Sequence, residues 1–402
     1  MRNGSIPAVL AAIFVCAWGG NQFTPLLVMY RTAGYSAFAV NALLGAYVLG
    51  LVPGLLLTGT LSERFGRRPV ALAGVSASLV ASLLLAAGTF GAGWIAAGRL
   101  VTGFGVAVAM AVGTTWVTEL SDRADAAPGT GARLAALFLT AGFALGAAVA
   151  GGLAQWGPAP MVTPYLVHAV LTLAVLPFVF RVPETGTVGS PARGQFGGLR
   201  HPRFRRVIMP MAPWIFGSAA VAYAIMPQLV GDRVGQWSLL YSTTLTVGTL
   251  IAGTLVQPLA KRLDRTSSAR AVIASMTLMP LGLLVSMFAA IVRSPALALV
   301  AAIALGCAYG IALVSGLLEL QRLAAPHELA ALTGAYYALA YLGFLLPSLL
   351  SLLNPAAGYP VLLGALVLVA LSGTAVILRH SRAHLPAPAP AGKNEKELAP
   401  AG

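Results

Sequence analysis

Charge is scarce in this sequence. Only 9% of its 402 residues are Asp, Glu, Lys or Arg, where soluble domains carry about 25%. So few charges cannot cover a water-exposed surface. Acid is scarcest: 11 Asp and Glu stand against 25 Lys and Arg, a formal net charge of +14. Lysine occurs only at 261, 393 and 396; its replacement by arginine, with abundant Ala and Gly, fits a GC-rich bacterial genome. Cysteine is limited to Cys16 and Cys307, each inside an apolar run, which excludes a disulfide framework and a thiolate metal site. There is no HExxH, no glycine-rich nucleotide loop and no cluster of acids or histidines within an apolar run. ATP is therefore excluded as the direct energy source within this chain, and neither a metal nor a cofactor is expected. The basic residues fall between apolar runs, so they do not form a nucleic-acid surface.

What remains is apolar: 58% of the residues are hydrophobic. A helix crossing a hydrocarbon core about 30 Å thick needs roughly 20 apolar residues. Only helices or closed barrels can cross, because lipid leaves backbone polar groups unsatisfied. Long continuous runs favour helices. Twelve are read, at about 6–30, 36–61, 70–89, 93–120, 133–156, 162–181, 207–230, 236–260, 270–292, 295–320, 329–353 and 359–379. The stretch from Arg2 to Trp18 lacks a small-x-small cleavage pattern and reads as the first span, retained. The division of spans nine and ten rests on Arg293, Ser294 and Pro295 alone. A linker at 182–206, with Pro183, Pro191, Gly194 and a basic run through Arg200, Arg203, Arg205 and Arg206, divides the spans six and six. Residues 380–402 form a Pro/Ala-rich charged tail, expected to be disordered. The fold class is an all-α membrane protein. Its twelve transmembrane helices form two pseudo-symmetric six-helix bundles, 1–181 and 207–379.

Basic residues set orientation. With the N-terminus inside, 21 Lys and Arg lie inside and three outside (Arg31, Arg233, Arg293), with Arg99 within a span. Both termini are expected in the cytoplasm and the chain in the cell (inner) membrane, crossing it many times. The halves echo each other. Arg64 to Arg67 follows span two as Arg262 to Arg265 follows span eight, 198 residues on. Glu119-Leu120 ends span four as Glu319-Leu320 ends span ten, 200 residues on. A common offset at equivalent positions indicates a duplicated unit, an architecture that places substrate near the midplane between repeats.

Between spans two and three runs Gly59-Thr-Leu-Ser-Glu63-Arg64-Phe-Gly66-Arg67-Arg68. Gly59 is expected to let two helices approach, Gly66 to permit a tight turn, and Glu63 to pair with nearby arginines and favour a helix N-terminus. The arginines can also meet anionic lipid headgroups. Glu119 is placed to join them. This segment closely resembles the signature loop of the major facilitator superfamily, G-x-L-a-D-r-x-G-r-r, with Glu63 in the place of Asp. The resemblance extends over the whole chain in span count, halves and topology. It implies that Gly59, Glu63, Arg64, Gly66, Arg67, Arg68 and Glu119 latch the cytoplasmic side in the outward-open state. Arg262, Asp264, Arg265 and Glu319 are their counterparts in the second half.

Arg99-Leu-Val-Thr-Gly103-Phe-Gly105 looks like the family's second motif, R-x-x-x-G-x-G. Arg99 lies about 10 Å inside the outer end of its span. An arginine there costs roughly 2.5–3.5 kcal/mol on insertion scales, so it faces protein or a watery cavity. It is a candidate for binding an anionic or polar substrate group, or for tuning proton transfer. Gly142 to Gly152 in span five is similar to the antiporter motif G-x-x-x-G-P-x-x-G-G. Ala147 replaces the proline and Ala150 a glycine, which leaves a helix-packing face as the alternative. Polar residues within spans mark the expected cavity: Asn21 and Gln22, followed by helix-disturbing Pro25, with Arg99, His168 and Tyr337. Asn41, Tyr336, Tyr341 and Gln228 are further polar positions.

No acid sits at mid-span; Glu63, Glu119, Asp122, Asp232, Asp264 and Glu319 all lie near a membrane face. Proton coupling is left to His168, to water held by Arg99, or to Glu119 reached through the cavity; the alternative is a facilitator without coupling. The resemblance is strongest to the drug/proton antiporter branch. It implies a secondary transporter, driven by the proton gradient, that exports a drug-like or natural-product compound. The alternative is uptake or exchange of a metabolite such as a sugar, amino acid or organic acid. A small-molecule substrate and membrane lipid are the expected partners, nucleic acid is not, and short loops indicate a monomer without enzymatic activity.

Overall fold

A computed structural model describes residues 4–186, 197–324, 328–383 and 385. The middle of the linker and nearly all of the expected disordered tail lie outside the described residues. Among those described there is no strand, only a single bridge between Arg265 and Ser268. Eleven helical stretches are long and apolar enough to cross a membrane. One, Phe204–Leu263, is 60 residues long and is broken at Gly235, whose φ of 54° and ψ of −128° no helix tolerates. It yields two crossings, 204–230 and 238–263, so the twelve expected spans are all present.

The spans begin and end where local chemistry directs. Span one, Ser5–Thr32, tightens into a 3-10 turn at Thr24–Leu26 around Pro25, as the proline requires. Spans nine, Arg270–Val292, and ten, Pro295–Leu323, are separated by Arg293 in the left-handed region at φ 52°. Ser294 then accepts from the Leu297 N–H at 3.3 Å and Pro295 takes the first helical position, where its missing N–H costs nothing. The loop between spans two and three is far shorter than the apolar pattern indicates. Ala37–Phe65 and Arg67–Phe90 leave only Gly66 between them. The polar residues Ser62, Glu63 and Arg64 continue the helix beyond its apolar edge, and Gly66, at φ 98°, reverses the chain.

Lipid tails are as apolar as leucine, so helices in a membrane associate through close packing and not through apolar burial. Each half shows the same solution. In the first, spans two and four (Ala92–Asp122) cross at Gly50 and Gly103. A Cβ on Gly50 would collide with the Leu100 carbonyl, and one on Gly103 with that of Tyr47. In the second, spans eight and ten cross at Gly253 and Gly310, again backbone on backbone. The repeated glycine crossing supports the duplication read from the charged motifs. Gly59 makes no such approach: a Cβ there would meet nothing within 4 Å. It lies near the end of span two, past the point where span four crosses, which corrects its expected role. Large apolar side chains such as Leu49, Leu83, Leu137, Val170, Leu255 and Leu368 face outward around the bundle, as a lipid-facing belt must.

Candidate functional site

The basic ends of the spans carry one charged cluster per half. In the first half Arg67 opens span three and Glu119 lies near the end of span four; they pair at 2.9 Å. Arg67 also donates to Ser62 at 2.6 Å, and Glu119 accepts from the Thr185 hydroxyl. The residue that organises the turn is Glu184, just past span six (Thr163–Phe180). Its carboxylate accepts from the backbone N–H groups of Arg67 and Arg68, at 2.7 and 2.9 Å, and of Thr185 and Gly186, at 3.0 and 2.9 Å. It caps span three from across the bundle, satisfying donors that a helix start leaves orphaned. A Cβ on Gly66 would meet this carboxylate at 2.6 Å, a second reason for glycine there. Arg123 donates to the carbonyls of Glu184 and Thr185 at 3.2 and 2.8 Å. Glu63, expected to pair with arginine, makes no ion pair among the described residues; it sits on the last turn of span two, and Glu184 occupies the place at the helix start. Arg64 lies over the Phe65 ring at 5.2 Å, and both Arg64 and Arg68 have exposed side chains.

Burial raises the Glu184 carboxyl and its four N–H donors lower it; the donors win, and its pKa falls below the ordinary 4.5. A depressed carboxylate contributes stability that is present above its unfolded value and lost as pH falls through its folded value. Wild type should exceed Glu184→Gln by about 1 kcal/mol, the usual worth of a helix cap, at pH 6 and above. The gap should close as the medium is acidified below pH 4.5. Paired thermal melts across that range check this; a constant gap at every pH would refute the cap.

In the second half the cluster is dry. Glu319 accepts from Arg203 through both carboxylate oxygens, at 2.6 and 2.8 Å, with both residues about 1% exposed. Arg203 further donates to the Ser381 and Ala383 carbonyls at 3.2 and 3.0 Å. Arg322 joins Glu319, at 3.7 Å, to Asp264. Of the expected second-half gate, Asp264 and Glu319 are thus linked. Arg262 and Arg265 have exposed side chains, and Arg265 contributes only its carbonyl to Arg322 at 3.4 Å. Arg203 and Arg322, which the sequence offered only as basic loop residues, are the actual partners.

Every ion pair found among the described residues stays within one half. Arg67 and Glu119 therefore tie spans three and four of the first half together, and no ion pair among the described residues joins the halves at the basic face. Cross-half hydrogen bonds gather instead at the opposite ends of the spans. Asn41, early in span two, donates to Ser351 at 2.5 Å and accepts from Gln228 at 3.0 Å. Gln155, at the end of span five (Thr130–Trp156), donates to the Gln236 carbonyl at 3.2 Å and accepts from the Leu240 N–H at 3.1 Å. Asn41 and Gln228 thus seal the end remote from the basic face and stand apart from the central cavity between the halves.

Between the halves lies a cavity walled by eight aromatic side chains: Tyr47, Phe143, Phe216, Tyr223, Tyr309, Tyr337, Tyr341 and Phe344. Arg99 is its one charged lining residue, and Asn21, Thr24, Thr140 and Gln257 supply the polar groups. Three of the expected cavity residues, Asn21, Arg99 and Tyr337, are brought together here. The lining reaches toward the basic face through Leu139, roughly 13 Å from the start of span five, and Gln257, roughly 9 Å from the end of span eight. The Arg99 guanidinium lies 4.7 Å from the ring centres of both Phe23 and Tyr47. These are cation–π contacts. Its bonds to the Gly20 and Leu44 carbonyls are long, 3.3 and 3.4 Å, and its Nε has no partner among the described residues. No acid pairs with it among the described residues. The space is about 90 Å³, room for several waters and less than the roughly 150 Å³ that accepts a benzene ring. The halves must part to admit a substrate.

Gln22 and His168 are not in this cavity. Both are fully buried within the first half, where Gln22 Nε2 donates to Ser82 at 3.0 Å and Ser82 lies 2.6 Å from His168 Nδ1. His168 Nε2 is 2.8 Å from the Val15 carbonyl. A carbonyl only accepts, so Nε2 carries a proton; in a neutral ring Nδ1 then accepts from Ser82, whose oxygen accepts from Gln22. This directed chain needs no second proton, and it ties spans one, three and six together. His168→Ala should lower thermal stability by roughly 1–3 kcal/mol, the cost of orphaned buried groups, and leave the pH profile of transport unchanged. A variant of normal stability with altered pH dependence would return His168 to the coupling machinery.

The wall residues Tyr47, Phe216, Tyr223, Tyr309 and Phe344 escaped the sequence reading, since aromatics inside apolar runs look like packing. Their number was the available signal. Tyr336 turns away and donates to the Ala312 and Leu313 carbonyls at 3.1 and 3.0 Å. The small residues of span five pack as expected of a contact face: Gly146 against Trp18, where a Cβ would lie 2.7 Å from its Cα, and Gly142 against the Phe14 carbonyl.

The sequence profile described as Major Facilitator Superfamily matches residues 9–348. A 4-hydroxybenzoate transporter of Pseudomonas aeruginosa, PcaK, is 29% identical over 229 residues, 54% of this chain and 46% of that protein. The chain thus aligns with about half the length of this curated relative. The nucleoside transporter NupG superposes with a TM-score of 0.72 at 15% identity, over 94% of this chain and 99% of its own. The xylose transporter XylE from E. coli, in a partially occluded inward-open conformation, does so with a TM-score of 0.68 at 16% identity, over 94% and 98%. At these identities the structural likenesses speak for the fold.

Proposed function

The chain belongs to the major facilitator superfamily, and from that premise we propose that it carries a small aromatic carboxylate, or a similar planar organic anion, across the cell membrane by alternating access. The observation that carries this reading is Arg99: a buried guanidinium, paired with no acid among the described residues, is the one charge among the residues lining an aromatic cavity between the halves. Aromatic walls suit a ring, and a guanidinium fork suits a carboxylate. A cationic drug would instead meet a positive charge in a low-dielectric site. The 4-hydroxybenzoate named for the relative is of the favoured class.

In this reading the basic face is cytoplasmic, the chain acts as a monomer, and the cavity is reached from that face while the opposite end is sealed. The proton gradient is the driving force. Glu119 is then the better coupling candidate than His168, because it is partly exposed at the basic face and its one cationic partner among the described residues, Arg67, can release it. Export of drug-like compounds is the weaker reading. Its particular support was the small-residue face of span five, and helix packing accounts for that face, against span one at Gly142 and Gly146 and against Thr243 of span eight at Gly151.

The purified full chain in proteoliposomes with an imposed pH gradient tests the proposal. Radiolabelled benzoate or 4-hydroxybenzoate should be carried and should compete with one another, whereas a cationic dye should not. Transport of the dye with no competition from either acid would reverse the assignment.

A further inference from the structure

A second concavity lies outside the cavity and serves no part of the proposed transport step. It runs along the seam between the halves, a groove of about 560 Å³ between span two and the start of span seven with span eleven (Ala331–Ala357). Val52, Leu56, Met209 and Leu339 give it apolar walls; Arg200 and Arg205 stand at its basic end. Both arginines are exposed, and among the described residues neither side chain has an ion pair or hydrogen bond. Leu56 and Met209 are exposed as well, on the flank that faces lipid.

The dimensions match one kind of molecule. Leu56 is nine residues before the end of span two and Val52 thirteen, roughly 14 and 20 Å from the basic face. That depth is about half to two thirds of a 30 Å hydrocarbon core. Two unpaired guanidinium groups at the mouth of an apolar slot of that depth complement a phosphate joined to an acyl chain. We propose that this groove binds an anionic glycerophospholipid of the surrounding leaflet, with its phosphate on Arg200 and Arg205 and a chain between Leu56 and Leu339. Because one wall belongs to the first half and the other to the second, a lipid seated here favours the conformation described, in which the two walls form the groove. It can shift the balance of conformations only by its preference for that one.

The test reads lipid retention, so it stands apart from the substrate assignment. The full chain is exchanged into vesicles of phosphatidylcholine with phosphatidylglycerol at equal parts, extracted mildly, and weighed with its bound lipid by native mass spectrometry. Wild type should retain phosphatidylglycerol in preference. Each arginine near a membrane surface contributes about fivefold to anionic-lipid attraction, so R200Q/R205Q should reduce the preference by roughly 25-fold. Leu339→Trp, which fills the slot and keeps both arginines, should also reduce it. Arg379→Gln, an exposed arginine of the same face away from the groove, should not. Retention unchanged in R200Q/R205Q, or lost equally in Arg379→Gln, would overturn the site. Displacement of the lipid by millimolar inorganic phosphate alone would also overturn it, since the slot would then contribute nothing.

Discussion

Arg99→Gln is expected to remove aromatic-carboxylate transport, weakening substrate affinity by 30-fold or more, while leaving the protein as stable as before or more so. The two halves of this expectation have separate causes. Leaving a bound carboxylate without its charged donor costs about 2–5 kcal/mol when the pair is buried, which corresponds to that loss or a larger one. In the empty protein the guanidinium is poorly compensated: its two carbonyl contacts are 3.3 and 3.4 Å and its Nε is unpaired. Replacing a buried charge that lacks an acid partner relieves desolvation instead of breaking a strong bond. Arg99→Lys should restore little, since an ammonium cannot lie flat between Phe23 and Tyr47 or offer a planar fork. Substrate affinity measured beside a thermal melt decides the matter. A sharp drop in melting temperature would make Arg99 a structural residue; normal affinity in the Gln variant would end the anion proposal.

Glu319→Gln should be the most destabilising single change in the charged clusters, about 3–5 kcal/mol, the cost of stranding one member of a buried pair. The stranded group is Arg203, about 1% exposed and held between Glu319 and the Ser381 and Ala383 carbonyls. At the 2–4 °C per kcal/mol of a unit of about 150–250 residues, the size of one six-helix half, the apparent melting temperature should fall by on the order of 10 °C. Replacing both partners with apolar residues, Arg203→Met with Glu319→Leu, should recover most of the loss, because a buried pair exchanged for hydrocarbon is often neutral. Glu119→Gln, at the repeat-equivalent position, should cost no more than about 1 kcal/mol, because its pair with Arg67 is partly wet. If the two single variants melt together, the contrast between a dry and a wet cluster has no energetic meaning.

The fold was legible because lipid imposes a strict rule: each crossing needs about 20 apolar residues, and twelve such runs are written in the chain. The motif loop and Arg99 were legible for a related reason, since charge in or beside an apolar run is costly and must have a purpose. What stayed hidden depends on contacts between distant segments. Glu184 looks like any linker acid until span six brings it to the start of span three. Gln22 and His168 looked like cavity residues because a polar side chain within a span is equally well explained by an internal bond, and only the position of Ser82 decides between the two. Gly59 was given the close approach that Gly50 and Gly103 make, because a motif shows which glycines recur and not which backbone lies opposite.

The seal remote from the basic face rests on Asn41, Gln155 and their four cross-half hydrogen bonds. At about 0.5–1.5 kcal/mol net apiece, they hold that door shut with roughly 2–6 kcal/mol. Turning a two-state population from 1:99 to 99:1 takes about 5.5 kcal/mol, and a 100 mV potential acting on one translocated charge supplies about 2.3. The closure is therefore of the same size as what a single bound ion and the cell's own voltage can deliver. A machine balanced in this way can run in either direction, and the gradients across it, not the rigidity of its gates, choose which.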